Sequence, residues 1–122
     1  MKEIPWSKVR RAWNAHEATA RIAFQEQWPR QVIYLRLRPS PPERVATEAG
    51  RYEVARLYPY HRPLRTVFIS PHTSRPDLID TICHELAHVI AGLPAAHGRN
   101  FRLWFGRLLV LSAENHLERF LR

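Results

Sequence analysis

The sequence predicts one α+β domain over residues 1–122: an N-terminal helix, a small, mainly antiparallel three-stranded sheet, a central helix and C-terminal backing helices. Three observations carry that expectation. Hydrophobic spacing is helical from Trp6 to Phe24 and again from Pro76 onward, with strand-like alternation between. Short breaks rich in proline, Pro39-Ser40-Pro41-Pro42 and Tyr60-His61-Arg62-Pro63, separate the alternating runs. A chain of 122 residues, 45% apolar and 25% charged, has the size and composition to close around one core.

The first helix places Trp6, Val9, Trp13, Ala20 and Phe24 on one stripe, and Trp28-Pro29 closes it. Glu17 interrupts that stripe. It is expected to pair with Arg10 or Arg21, the alternative being a position facing the central helix. From Gln31 to Arg38, Ile33, Leu35 and Leu37 point one way while Tyr34, Arg36 and Arg38 point the other. After a turn at Gly50, Tyr52 to Tyr58 forms a second strand and Arg65 to Ser70 a third, with Val67 and Ile69 on one side. Helices are expected over Asp77–Ala91, stopped by Gly92-Leu93-Pro94, and over Gly98–Leu111. Ser112 would cap a last short helix through Phe120.

Charge and cysteine content narrow the setting. Nineteen basic residues against 11 acidic give a net charge of +8, and all the basic residues except Lys2 and Lys8 are arginine. Forked guanidinium groups suit phosphate, so DNA is a candidate partner; the alternative is a solvated surface, since the arginines are scattered. No apolar run reaches the roughly 18 residues of a membrane span. The absence of an apolar leader after Met1 and the single Cys83 fit a cytoplasmic protein.

Chemistry concentrates in His84-Glu85-Leu86-Ala87-His88. Two histidines four apart on a helix present both imidazoles to one metal ion, and the glutamate between them can take a proton from water activated there. Zn²⁺ is the expected cofactor. On the helix, His84, His88, Glu85, Thr81 and Gly92 fall on one side, and Ile79, Ile82, Leu86, Val89, Ile90 and Leu93 on the other. A third ligand is needed, and His97, Glu114 and Glu118 are the candidates. Ala91 and Pro94 stand where a metzincin has its glycine and third histidine, which excludes that arrangement. A purely structural zinc site would have no need of Glu85.

The paired elements His84-Glu85-Leu86-Ala87-His88 and His97-Gly98-Arg99-Asn100-Phe101 resemble those of the SprT-like zinc metalloproteases. The likeness covers roughly residues 45–108, including Gly50-Arg51-Tyr52 and Val67-Phe68-Ile69-Ser70. It implies a zincin-like fold, zinc held by His84, His88 and His97, catalysis by Glu85, and a protein or peptide substrate. Glu114 and Glu118 then become structural, pairing with Arg107 or Arg119. With one cysteine, the cysteine-rich zinc ribbon that many SprT-like proteins carry cannot form within this sequence. The eukaryotic Spartan members of the family cleave proteins crosslinked to DNA, so DNA-associated proteins are the implied substrate class.

Other titratable residues are expected to play lesser parts. His61 and His72 read as loop residues, and His16 and His116 as ordinary ones. Cys83 reads as a small buried hydrophobe. Tyr52, Tyr58 and Tyr60 are candidates to stabilise an oxyanion. Oligomeric state has no signature in the sequence.

Overall fold

A computed structural model of the protein describes residues 3–45, 48–57, 62–72 and 74–122. It is α+β, with three α-helices and a mixed three-stranded sheet. Helix α1 spans Trp6–Ala23 and buries Val9, Ala12, Trp13, His16 and Ala20. Glu17, the polar residue in its apolar stripe, is satisfied locally. It accepts hydrogen bonds from the Trp13 indole and the Arg21 guanidinium, both at 2.9 Å. Arg21 is thus the partner that Glu17 requires.

Strands β1 (Arg36–Pro39), β2 (Gly50–Leu57) and β3 (Arg62–Ile69) lie in the order β1-β3-β2. β2 and β3 pair antiparallel, but β1 runs parallel to β3. The expected mainly antiparallel sheet is therefore mixed. The chain leaves β1, crosses to form β2 at the far edge, and only then returns as β3 between them. The first strand is also shorter than its alternation implies. Ile33 is 84% exposed and Tyr34 69% exposed, while Val32, Leu35 and Leu37 point inward. The Val32 carbonyl accepts from the Trp28 indole at 2.9 Å and from Arg21 at 3.2 Å, anchoring the chain to the end of α1 before it joins the sheet.

Helix α2 covers Arg75–Ala91, with Ser74 capping it by accepting from the Asp77 amide and Pro76 in its first turn. Leu78, Ile82, Leu86 and Val89 are buried against Val67 and Ile69 of β3 and against the other helices. Leu93, placed by its spacing on the same apolar face, lies beyond the helix end and is 45% exposed. Helix α3 covers Arg99–Glu114, packing Phe101, Trp104 and Leu108 inward, and a 3₁₀ turn at Leu117–Leu121 closes the core. Ser112 does not cap a new helix. It is buried inside α3 and its hydroxyl donates to the Leu109 carbonyl at 2.7 Å; the left-handed His116 makes the break instead. No described helix is long and apolar enough to cross a membrane.

His16, unremarked by spacing, sits at the junction of three helices. Its Nε2 lies 3.2 Å from the Leu108 carbonyl on α3 and 3.4 Å from the Cys83 sulfur on α2. A carbonyl can only accept, so this nitrogen carries the proton. Burial pushes His16 down to about 4, outweighing the Leu108 hydrogen bond that raises it, and pushes the Cys83 thiol up to about 12. In the unfolded chain His16 returns to about 6.5, so the unfolded state binds the extra proton on acidification. Its contribution is complete above about pH 6.5 and disappears as pH falls towards 4, about 3 kcal/mol in all. Urea denaturation of wild type and His16→Gln across pH 4–8 should give curves that converge at the acidic end. A constant gap would show that His16 takes up its proton alike in the folded and unfolded chains.

Candidate metal centre

The local sequence brings three imidazoles together by two different devices. His84 and His88 stand one turn apart on α2, with ring centroids 4.9 Å apart. His97 arrives from a loop. Gly92 ends α2 at φ 88°, a conformation that disfavours any side chain, and a 3₁₀ turn at Leu93–Ala95 reverses the path. Ala96 adopts φ 46°, and α3 starts just beyond His97. The Nε2 atoms of His84, His88 and His97 each lie 3.2 Å from the other two.

Phe101 holds this arrangement from beneath. The ring is 3% exposed, and its centroid lies 4.4 Å from that of His88 and 4.9 Å from those of His84 and His97. Placed in the first turn of α3, it couples the loop histidine to the helix pair. Spacing alone gave Phe101 no role of its own; the signal was its fixed distance from His97.

The electrostatics favour neutral imidazoles. Burial lowers His84, with the charge of His97 acting in the same direction. Burial, followed by the charges of His84 and His97, brings His88 down to about 4. Three imidazole nitrogens at this spacing could hold one metal ion.

Glu85 projects beside them. It is 3% exposed, and its Oε2 lies 4.0 Å from His84 Nε2. Among the described residues Oε1 has no hydrogen-bond partner. Burial, then the negative charge of Glu48, pushes the carboxyl up to about 8. The first residue of β2 creates this enclosure. A Cβ on Gly50 would lie 2.9 Å from Glu85 Oε2 and 3.0 Å from both Glu85 Cγ and Thr81 Cγ2. Only a residue without a side chain lets the strand lie so close, so Gly50 is a site residue that its turn-like context concealed.

Two further groups brace the same wall. The Thr81 hydroxyl donates to the Asp77 carbonyl at 2.9 Å, so its oxygen accepts from His72 Nε2 at 3.1 Å. His72 thus behaves as a loop residue that fastens α2. The Tyr52 hydroxyl, on the neighbouring stretch of β2, accepts from Arg65 at 2.8 Å. Tyr58, Tyr60 and His61 lie outside the described residues.

The alternative ligands are elsewhere. Glu118 pairs with Arg122 at 3.0 Å rather than with Arg107 or Arg119, and Glu114 ends α3 beside Phe24 and Leu111. Neither joins the histidine cluster. The fold and the site together define an α+β protein with a three-histidine centre able to take a metal ion. No family model, curated protein or solved structure matches the chain.

Gly50→Ala should destabilise the fold by about 1–3 kcal/mol through overpacking against Glu85. Metal affinity should stay within about threefold, because the histidines are held by α2 and Phe101. Urea denaturation and metal titration of the same variant read the two effects. Metal affinity falling in step with stability would mean that β2 supports the histidines as well.

Proposed function

We propose that the protein is a zinc-dependent peptidase with a zincin-like fold, as its resemblance to the SprT-like metalloproteases implies. His84, His88 and His97 are the ligands and Glu85 is the general base. The observation that carries this reading is the mutual Nε2 spacing of 3.2 Å beside a buried carboxylate. Nitrogens about 2.0–2.1 Å from one tetrahedral zinc would stand about 3.3 Å apart, so the donor set fits the ion.

Zinc held there supplies Lewis acidity, polarising a scissile carbonyl and making water acidic. Positive charge at the cluster favours ionised Glu85 over the protonated form that burial alone selects. Glu85 takes a proton from the attacking water as the water oxygen bonds to the carbonyl carbon. It then delivers that proton to the departing amine nitrogen as the C–N bond breaks. Among the described strands, β2 pairs only with β3, which leaves its other edge, next to Glu85, open to an extended peptide.

Wild-type protein should bind about one zinc per chain, and His97→Ala should lose most of it while Glu114→Ala does not. Glu85→Gln should retain the metal and lower casein cleavage by at least about 100-fold. Normal cleavage by Glu85→Gln, measured on zinc-loaded protein, would remove Glu85 from the role.

A nucleic-acid-associated reading has its own observation. On the sheet, Phe68 pairs in register with Arg38, and the Arg51 guanidinium lies over its ring at 4.5 Å. Arginines around an aromatic face suit single-stranded DNA, and the peptidase would then act on DNA-associated proteins. Affinity for a single-stranded oligonucleotide should fall steeply between 50 and 200 mM salt, by roughly tenfold or more. No binding at low salt would leave the arginines as solvated surface.

A further inference from the structure

Three hollows that share lining residues lie along β2 and the histidine-bearing side of α2. The middle one, about 240 Å³, has walls from Gly50, Tyr52, Glu85 and the three histidines. It shares Gly50, His84 and Glu85 with a hollow of about 360 Å³ whose other walls include Glu48, Asp80 and Phe105. It also shares Tyr52 and Leu93 with a hollow of about 690 Å³ whose walls are chiefly Val32, Val54, Val89, Ile90 and Pro94, with Gln31 and Arg65 as its polar members, Arg65 being engaged by the Tyr52 hydroxyl. From Gly50 to Val54 a strand advances about 13 Å, the reach of about four extended residues.

The two ends differ in chemistry. At the first, Asp80 is exposed and has no ion pair among the described residues. Glu48 engages Arg51 and Arg44 through Oε1, at 3.6 and 3.8 Å, but its Oε2 has no hydrogen-bond partner among the described residues. Glu85, almost wholly buried, faces the same hollow with one oxygen likewise unpartnered. The Phe105 ring adds an aromatic surface. Carboxylates and an aromatic face together suit an ammonium or guanidinium group. The other end is mainly aliphatic and suits an apolar side chain.

We propose that this cleft selects an extended peptide with a lysine or arginine on one side of the scissile bond and an apolar residue on the other. The inference rests on the peptidase reading and narrows its substrate class. Asp80 is the chief determinant of the basic preference, since Glu48 is partly neutralised by its arginines. The chain's charge of +8 does not oppose this, because charges beyond about 8–10 Å are largely screened at physiological salt. Arg51 lines the middle hollow but is held by Glu53 at 2.8 Å and Glu48 at 3.6 Å, so a basic side chain at the first end meets chiefly Asp80 and the unpartnered carboxylate oxygens.

The test has two arms. Zinc-loaded wild type and Asp80→Lys are incubated with a random decapeptide library, and the cut sites are read by mass spectrometry. Separately, fluorescence anisotropy measures binding of two labelled peptides to the Glu85→Gln variant and to a Glu85→Gln/Asp80→Lys double variant. The peptides differ only in arginine against glutamate beside a central alanine pair flanked by leucine. Expected are about tenfold enrichment of lysine or arginine within two positions of the cut, and about tenfold tighter binding of the arginine peptide. Both preferences should vanish with Asp80→Lys. Cleavage without charge preference, or equal binding of the two peptides, overturns the specificity while leaving the peptidase reading standing. If nothing is cut but the arginine peptide binds selectively through Asp80, the cleft assignment stands and the peptidase reading falls.

Discussion

The arrangement depends on how completely α2 is buried. One side supplies Leu78, Ile82, Leu86 and Val89 to the core, as a helix lying across a sheet must. The other side is covered as well: Thr81 is 7% exposed and Glu85 3% exposed, because the start of β2 closes over them. Burying a carboxylate is costly unless its surroundings compensate, and here the compensation is incomplete. The helix thus places a poorly solvated acid beside imidazoles that burial keeps neutral. The packing of the helix and the raised pKa of its carboxyl have one origin.

The contacts between elements explain which parts of the fold were legible in the sequence. Helices α1 and α3 announced themselves by periodicity because each buries one stripe, as Val9, Trp13 and Ala20 show on α1, and α2 did so through the apolar side it turns to the core. β3 was legible through Val67 and Ile69, both fully buried. Topology was not. Periodicity reports which face of a strand is buried, never which neighbour it pairs with, so the parallel pairing of β1 had no signature. Ile33 kept the rhythm of a strand while the Val32 carbonyl was committed to Trp28 and Arg21.

At the site, legibility followed sequence separation. His84, Glu85 and His88 are neighbours on one helix, and their convergence follows from helical geometry. His97 needed the resemblance as well as the turn at Gly92, since spacing alone left Glu114 and Glu118 as rivals. Gly50 and His16 were obscure for a common reason. Each matters through a residue distant in the chain, Glu85 in one case and Leu108 with Cys83 in the other. A glycine's importance lies in what a side chain would strike, and sequence does not display that.

Cys83, adjacent to the first of the three histidines, faces the opposite way and is sealed among α1 and α3. Its sulfur is therefore withheld from the centre, whose donors are nitrogen alone. An all-imidazole set lacks the sulfur that favours thiophilic ions, and among divalent ions it follows the Irving–Williams order, where Cu²⁺ outranks Zn²⁺. Which ion such a set would take is therefore set by supply and by the spacing of the three nitrogens rather than by intrinsic affinity alone.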